Sequence, residues 1–493
     1  MKTEFKNLDQ LLKLAGQSSD FKTTTILLGK QKVNIFYYST LIDAKWMQQH
    51  LILVVQNRSL DSEIKEIEDI KDWIPINDIE ITDELTNIQS KLLKGYALVQ
   101  LNENDQKCAL VNLADNHGLR QNNDTENEFS VVGPKVGFVE DLDTNIGLLR
   151  TQINIPNLII KEIIVGTTSK TKVAIIYIDG VTNKQHIQTF EQRLVDIDHD
   201  VVFDSSLLDQ MMSDNSLTPF PLFVSTERRD RVVYSLINGQ VAVISDGSPY
   251  FVTGPSTLFD FFISPEDYYL PWILGSFFRL IRIFGVIFSL FATSMYVAIT
   301  TFHYEVIPKD LLSPLIFSRK NVPFTPFFEV LFLEITIEFL REAGARLPTK
   351  IGQTLGIVGG IVIGQAAVEA ALTSNILLIV VALSALASFT TPIYKMSNAI
   401  RFLRFPIIIL SAIFGGIGLF MGVCFLFIHL IRLKSLGSPY FVPIFPLRTM
   451  DLKDSFIRPS FQFLYKRPQY LRPNSLFRYL PKPVKQKNDL DEE

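Results

Sequence analysis

Four long apolar stretches crowd the last 230 residues of this chain: Ile283–Phe302, Ile351–Leu372, Asn375–Thr391 and Pro406–Leu430. A bilayer core of about 30 Å needs roughly 20 apolar residues in a helix. Inside hydrocarbon every backbone N–H and C=O must be satisfied within the chain, so such stretches are confined to helices. They predict an all-α transmembrane bundle over residues 266–435, entered through the interfacial aromatics Tyr268, Tyr269 and Trp272. A fifth stretch, Phe324–Pro348, carries four glutamates and reads as a segment that lies in the interface or re-enters. Arg279 and Arg282 place the bundle's entry inside, and the 12 Lys/Arg after Leu430 place the tail there too. Four crossings satisfy both ends but strand Lys395, Arg401 and Arg404 on the opposite side.

Charge divides the chain at the same place. Residues 1–265 hold 24 Lys/Arg against 36 Asp/Glu, and residues 266–493 hold 23 against 15. An acidic front joined to a basic, apolar rear predicts a soluble part attached to a membrane part. The start of the chain has no apolar core of signal-peptide length, which predicts a cytoplasmic front half. Two cysteines, Cys108 and Cys424, lie in different parts and suggest neither a disulfide framework nor a metal site.

The front half repeats itself. Ile26–Leu51 and Ile163–Phe190 each read as strand, polar turn, strand, carboxylate and helix. Gly95–Leu113 and Gly239–Pro255 each read as a hairpin, with apolar residues flanking a turn rich in Asn, Asp or Gly. The expected fold class is a duplicated α+β/α/β front region followed by the helical bundle. Its domains are 1–132, an α/β subdomain with its linker, and 133–265, a second α/β subdomain. The bundle follows at 266–435, and a basic, aromatic and proline-rich cytoplasmic tail at 436–493.

Within Ile351–Leu372, Gly352, Gly356, Gly360 and Gly364 recur every fourth residue and mark a face on which helix backbones can approach closely. The other face carries Thr354, Val358, Val362, Gln365 and Glu369. Two readings fit: a pore-lining helix whose valines narrow the path and whose polar end attracts cations, or a tightly packed bundle helix without a pore. In the glutamate stretch, Glu334, Glu338 and Glu342 share one helix face; Glu338 reaches Arg341 and Glu342 reaches Arg346. This segment is expected to serve as an acidic vestibule or as an ionic contact between subunits. "STERRDR", Ser225–Arg231, reads as a solvated surface, and the tail as a binder of anionic lipid or of another subunit. Enzyme signatures are missing: there is no P-loop, nucleophile elbow or zinc spacing, so no catalytic residue, metal or cofactor is expected, nor nucleic acid as a partner.

Several long stretches resemble the A subunits of bacterial spore germinant receptors, the GerA family. They are Gly133–Arg150, Thr171–Gly180, Asn238–Tyr269, Leu340–Ala370 and Gly437–Pro446. The resemblance implies a multi-pass protein of the spore inner membrane with a cytoplasmic N-terminal region. It implies partners as well: a transporter-like, nutrient-binding B subunit, a lipoprotein C subunit, and copies of this chain in a ring, with five as the implied number. The function it implies is a ligand-gated cation channel that triggers germination; the alternatives are a secondary transporter or a non-conducting scaffold. Glu369-Ala370-Ala371 departs from the small residue and Ala-Gly that the family leads one to expect there.

Overall fold

The computed structural model describes residues 7–28, 31–58, 67–76, 78–101, 107–114, 128, 132–346, 360 and 362–479. The first α/β unit is a five-stranded antiparallel sheet of β1 (Phe21–Leu28), β2 (Gln31–Tyr38), β3 (Ile79–Thr82), β4 (Tyr96–Gln100) and β5 (Cys108–Asn112), in the order β1-β2-β4-β5-β3. The second uses β6 (Leu158–Val165), β7 (Thr171–Ile178), β8 (Val224–Thr226), β9 (Val241–Ser245) and β10 (Phe251–Gly254), in the order β6-β7-β9-β10-β8. Strand for strand this is one topology used twice. The inner strands read YALVQ, CALVN and VAVIS without strict alternation because both faces are covered.

Helices supply those covers. Those used below are α1 (Leu8–Ala15), α2 (Leu85–Leu92), α3 (Leu142–Gln152), α4 (Lys184–Val195), α5 (Ser205–Met212) and α6 (Arg229–Asn238). Asp141, Asn183 and Asp204 cap α3, α4 and α5 by accepting backbone N–H groups. One apolar core fills the first unit. Two cores lie on the second sheet, and one of them runs on into the helical region through Leu290 and Met396 and into the tail at Tyr440.

The two units are joined by a buried charge. Arg150 of α3 pairs with Asp20, donates to Ser18 Oγ at 2.8 Å, and lies over the Tyr38 ring at 4.1 Å. Ser19 N–H donates to the carbonyl of Ile160 on β6 at 2.8 Å. Gly147 permits this closeness, since a Cβ there would sit 2.6 Å from the Thr40 carbonyl.

The helical region consists of α7 (Trp272–Phe302), α8 (Lys309–Arg319), α9 (Pro326–Arg346), α10 (362–369), α11 (Asn375–Ser388) and α12 (Tyr394–Arg432). Two of these, α7 and α12, are long and apolar enough to cross a membrane. α12 corrects the expectation of one crossing at Pro406–Leu430. Gly415 adopts φ 59° and ψ −134°, and the chain reverses there. A Cβ on Gly418 would lie 1.9 Å from the Leu410 carbonyl, and one on Gly422 would lie 3.3 Å from Ile407. Residues 410 and 418, and 407 and 422, thus face each other across a tight helical hairpin. Only glycine allows arms this close.

The hairpin's feet stand on the second α/β unit: Lys395 Nζ meets Asp209 Oδ2 at 2.6 Å, and His429 Nε2 meets Thr218 Oγ1 at 2.9 Å. Its tip reaches the far end of α7, where Gly416 N–H donates to His303 Nε2 at 3.1 Å. α7 and the first arm therefore run outward together, while α9, α11 and the second arm run back. Lys395, Arg401 and Arg404 thereby fall on the arm that starts beside the α/β units, which removes the charge conflict of a four-crossing reading.

The tail and "STERRDR" also differ from expectation. Tail residues pack on the second unit: Tyr440 Oη donates to the Pro221 carbonyl at 2.8 Å, and Arg467 Nε to the Ile237 carbonyl at 2.7 Å. Within "STERRDR", Glu227, Arg228 and Arg231 are buried, because Arg228 pairs with Asp230 at 2.7 Å and Arg231 caps the Ile263 carbonyl at 2.7 Å. The junction aromatic Tyr268 is likewise internal, donating to Asp454 at 2.9 Å.

Candidate functional site

α9 is an apolar helix with carboxylates at every fourth position along one face, and such a face must find counter-charges. It finds them on the first arm of α12. Glu334 Oε2 lies 2.5 Å from Arg404 Nη1, and Arg404 also donates to Ser289 Oγ of α7 at 2.7 Å. Their side chains are 1% and 2% exposed. Four residues on, Glu338 pairs with Arg341 on its own helix and lies 3.9 Å from Arg401, while Arg341 donates to Asn398 at 3.3 Å. At the start of α9, Glu329 pairs with Arg319 of α8 at 2.8 Å and accepts the Ser374 N–H at 3.3 Å. The pairings 334–404, 338–401 and 341–398 keep one antiparallel register. They form a ladder of polar contacts through an otherwise apolar bundle.

The glutamate stretch is therefore a bundle helix and not a segment lying at an end. Glu334 meets its arginine within its own chain. Among the described ion pairs of α9, only Glu342–Arg346, at 2.5 Å, is exposed. Sequence reasoning missed Arg319, Arg401, Arg404, Ser289 and Asn398 as partners. Three basic or polar residues at i, i+3 and i+6 of an apolar stretch (Asn398, Arg401, Arg404) were the available signal, since that spacing also puts them along one side of a helix.

The second element is α10. Gly352, Thr354, Gly356 and Val358 lie outside the described residues. Of the rest, Val362 is 57% exposed, and Gln365 and Glu369 are exposed and joined by an Nε2–Oε1 hydrogen bond of 2.8 Å. Ala367, on the other side, is buried. A Cβ on Gly364 would touch Leu378 of α11 at 3.7 Å, so at this position the glycine face packs inside the chain. An added Cβ on Gly360 meets nothing within 4 Å. The helix thus turns a valine, an amide and a carboxylate away from its own bundle.

Fold and polar elements now stand together: twin antiparallel α/β units, a bundle foot clamped by the tail, and an ionic ladder between α9 and a glycine hairpin. The model of the Bacillus/Clostridium GerA spore germination protein family matches residues 9–470. This chain belongs to the GerA family. Among curated GerA relatives it is 46% identical to spore germination protein GerQA of Bacillus cereus, over 99% of this chain and 98% of that one. It is 49% identical to GerIA of Bacillus cereus over 89% of this chain, which spans 65% of that relative's length. It is 38% identical to spore germination protein A1 of Bacillus subtilis (strain 168), over 92% of this chain and 95% of that one. The crystal structure of the N-terminal domain of the A subunit of the Bacillus megaterium spore germinant receptor GerK3 is 22% identical, with a TM-score of 0.38, and covers 51% of this chain and 94% of that one.

Proposed function

We propose that this GerA protein is the A subunit of a germinant receptor and forms, with copies of itself, a gated cation-conducting ring in the spore membrane. The observation that carries this reading is the outward face of α10. Val362, Gln365 and Glu369 point away from the chain's own helices, and a carboxylate turned toward lipid is unfavourable, by roughly 2.5–3.5 kcal/mol at mid-bilayer and by less near the end of a span, where Glu369 lies. Facing copies of itself around an axis, the same surface becomes a valine constriction below a polar mouth.

In this reading six passes cross the membrane: α7, α9, the one that α10 belongs to, α11 and the two arms of α12. An even number leaves the α/β units and the tail on one side, the cytoplasmic one. The B subunit implied by the family senses nutrient and, in complex with the lipoprotein C subunit, passes the change to this ring. The glutamate–arginine ladder holds α9 and the hairpin as one rigid body, so that α10 moves against it. α10 turns or splays, the valine ring hydrates, and monovalent cations pass.

Reconstitution of the purified chain in planar bilayers tests this. Single-channel currents that become constitutive in Val362→Ala support it. Absence of currents from both proteins, with the oligomer intact, overturns conduction and leaves a scaffold.

A further inference from the structure

A cavity of about 580 Å³ lies between the second α/β unit, the foot of α7 and the tail, a size suited to a small organic molecule. Its walls include Tyr234 of α6, Tyr268 before α7, and Phe461, Phe463 and Tyr470 of the tail. Four aspartates reach it, and each is already satisfied. Asp230 pairs with Arg228 at 2.7 Å, and Asp454 with Arg279 at 3.1 Å. Asp454 also accepts the phenols of Tyr234 and Tyr268 at 3.0 and 2.9 Å. Asp260 accepts Thr257 N–H at 2.8 Å and Tyr470 Oη–H at 3.1 Å, and Asp451 accepts the amides of Gln469 and Tyr470 at 2.8 and 3.1 Å. Burial pushes the carboxyls of Asp260 and Asp451 above their ordinary range, toward the neutral form.

Arg478 is the contrasting group. Its guanidinium lies 5.0 Å from the Tyr234 ring centre and donates to Tyr234 Oη at 3.5 Å and to Asn238 Oδ1. Its hydrogen bonds among the described residues go only to that phenol and that amide oxygen, and its Nε is buried without a hydrogen-bond acceptor. A guanidinium whose hydrogen bonds all go to neutral groups, with the Asp454 carboxylate acting on it only from a distance, is matched beside an aromatic space by a planar anion with an apolar body.

We propose that this cavity binds a small carboxylic acid with an aryl or alkyl body, its carboxylate on Arg478 and its body among Tyr234, Phe461 and Tyr470. Because Asp454 bridges the cavity wall to Arg279, an occupant touches the group that anchors the foot of α7. The site stands independently of whether the ring conducts.

Calorimetry on the full chain in detergent tests it, with 3-phenylpropionate as probe and 3-phenylpropionamide as its neutral counterpart. The acid is expected to bind at least tenfold more tightly than the amide. Arg478→Gln is expected to erase that preference, and Arg478→Lys to keep part of it. No binding of the acid, equal binding of acid and amide, or an unchanged preference in a folded Arg478→Gln protein overturns the proposal. The acid–amide comparison on the native chain decides the matter even if the variants fail to fold.

Discussion

Glu334 and Arg404, 70 positions apart in the chain, meet at 2.5 Å near the middle of α9 and of the first arm of α12 and are shielded from solvent. Neither helix is stable in an apolar surrounding without the other, because each carries a charge that only its partner offsets. Removing one member of a buried pair typically costs about 3–5 kcal/mol, since the other is left uncompensated.

Arg404→Ala is therefore expected to lower the thermal midpoint of the purified protein strongly. Glu334→Gln in the Arg404→Ala background should recover part of the loss by removing the stranded charge. Thermal unfolding in detergent measures both, and an unaltered midpoint in Arg404→Ala would refute the role given to this pair.

The hairpin makes a topological prediction. Tyr394 and Lys453 lie at the α/β end of the molecule, and Glu305 lies at the far end near Gly415. Cysteines at 394 and 453 should react with an impermeant maleimide from one side of sealed vesicles, and a cysteine at 305 from the other. Gly418→Leu should prevent the arms from closing, because the Leu410 carbonyl occupies the space of any side chain there; loss of protein from the membrane fraction would report it.

Asp20→Ala should loosen the two α/β units without unfolding either sheet. Arg150 would lose its carboxylate while fully buried, a penalty of about 3 kcal/mol or more. Limited proteolysis of the full chain is the readout: faster cleavage between the units is expected, and a digestion pattern like that of the native protein would count against the pairing.

His186 sets a pH dependence. Burial, with Arg472 adding to it, pushes the imidazole down to about 4. The unfolded chain titrates near 6.5, so between these values the unfolded state binds more protons and stability rises with pH. The contribution is complete above about pH 6.5 and is lost as pH falls toward 4, at most about 3 kcal/mol in all. His186→Gln should flatten the stability–pH curve over that window relative to the native chain; parallel curves would exclude it.

Much of this architecture is written locally. The paired hairpins of the two sheets are carried by apolar runs and turn residues, which act over a few positions. The split into a strand-bearing front and a helical rear follows from where the charge and the long apolar stretches lie. The local pairs of α9, Glu338–Arg341 at i, i+3 and Glu342–Arg346 at i, i+4, need only helical spacing. The candidate site was less legible. The glutamates drew notice as a stripe, yet their partners on the α12 arm were read as loop charges, because the pairing joins residues some 60–70 positions apart.

By itself the sequence determined the secondary elements, the duplicated front and the apolar rear, since backbone hydrogen bonding and hydrophobic spacing are properties of short windows. Tertiary structure alone decided that α12 folds back at Gly415, that α9 lies inside the bundle, and that the tail clamps the second α/β unit. Those outcomes depend on where buried charges find partners and on how closely two backbones approach. Both are set by distances between residues far apart in the chain, which no local pattern records.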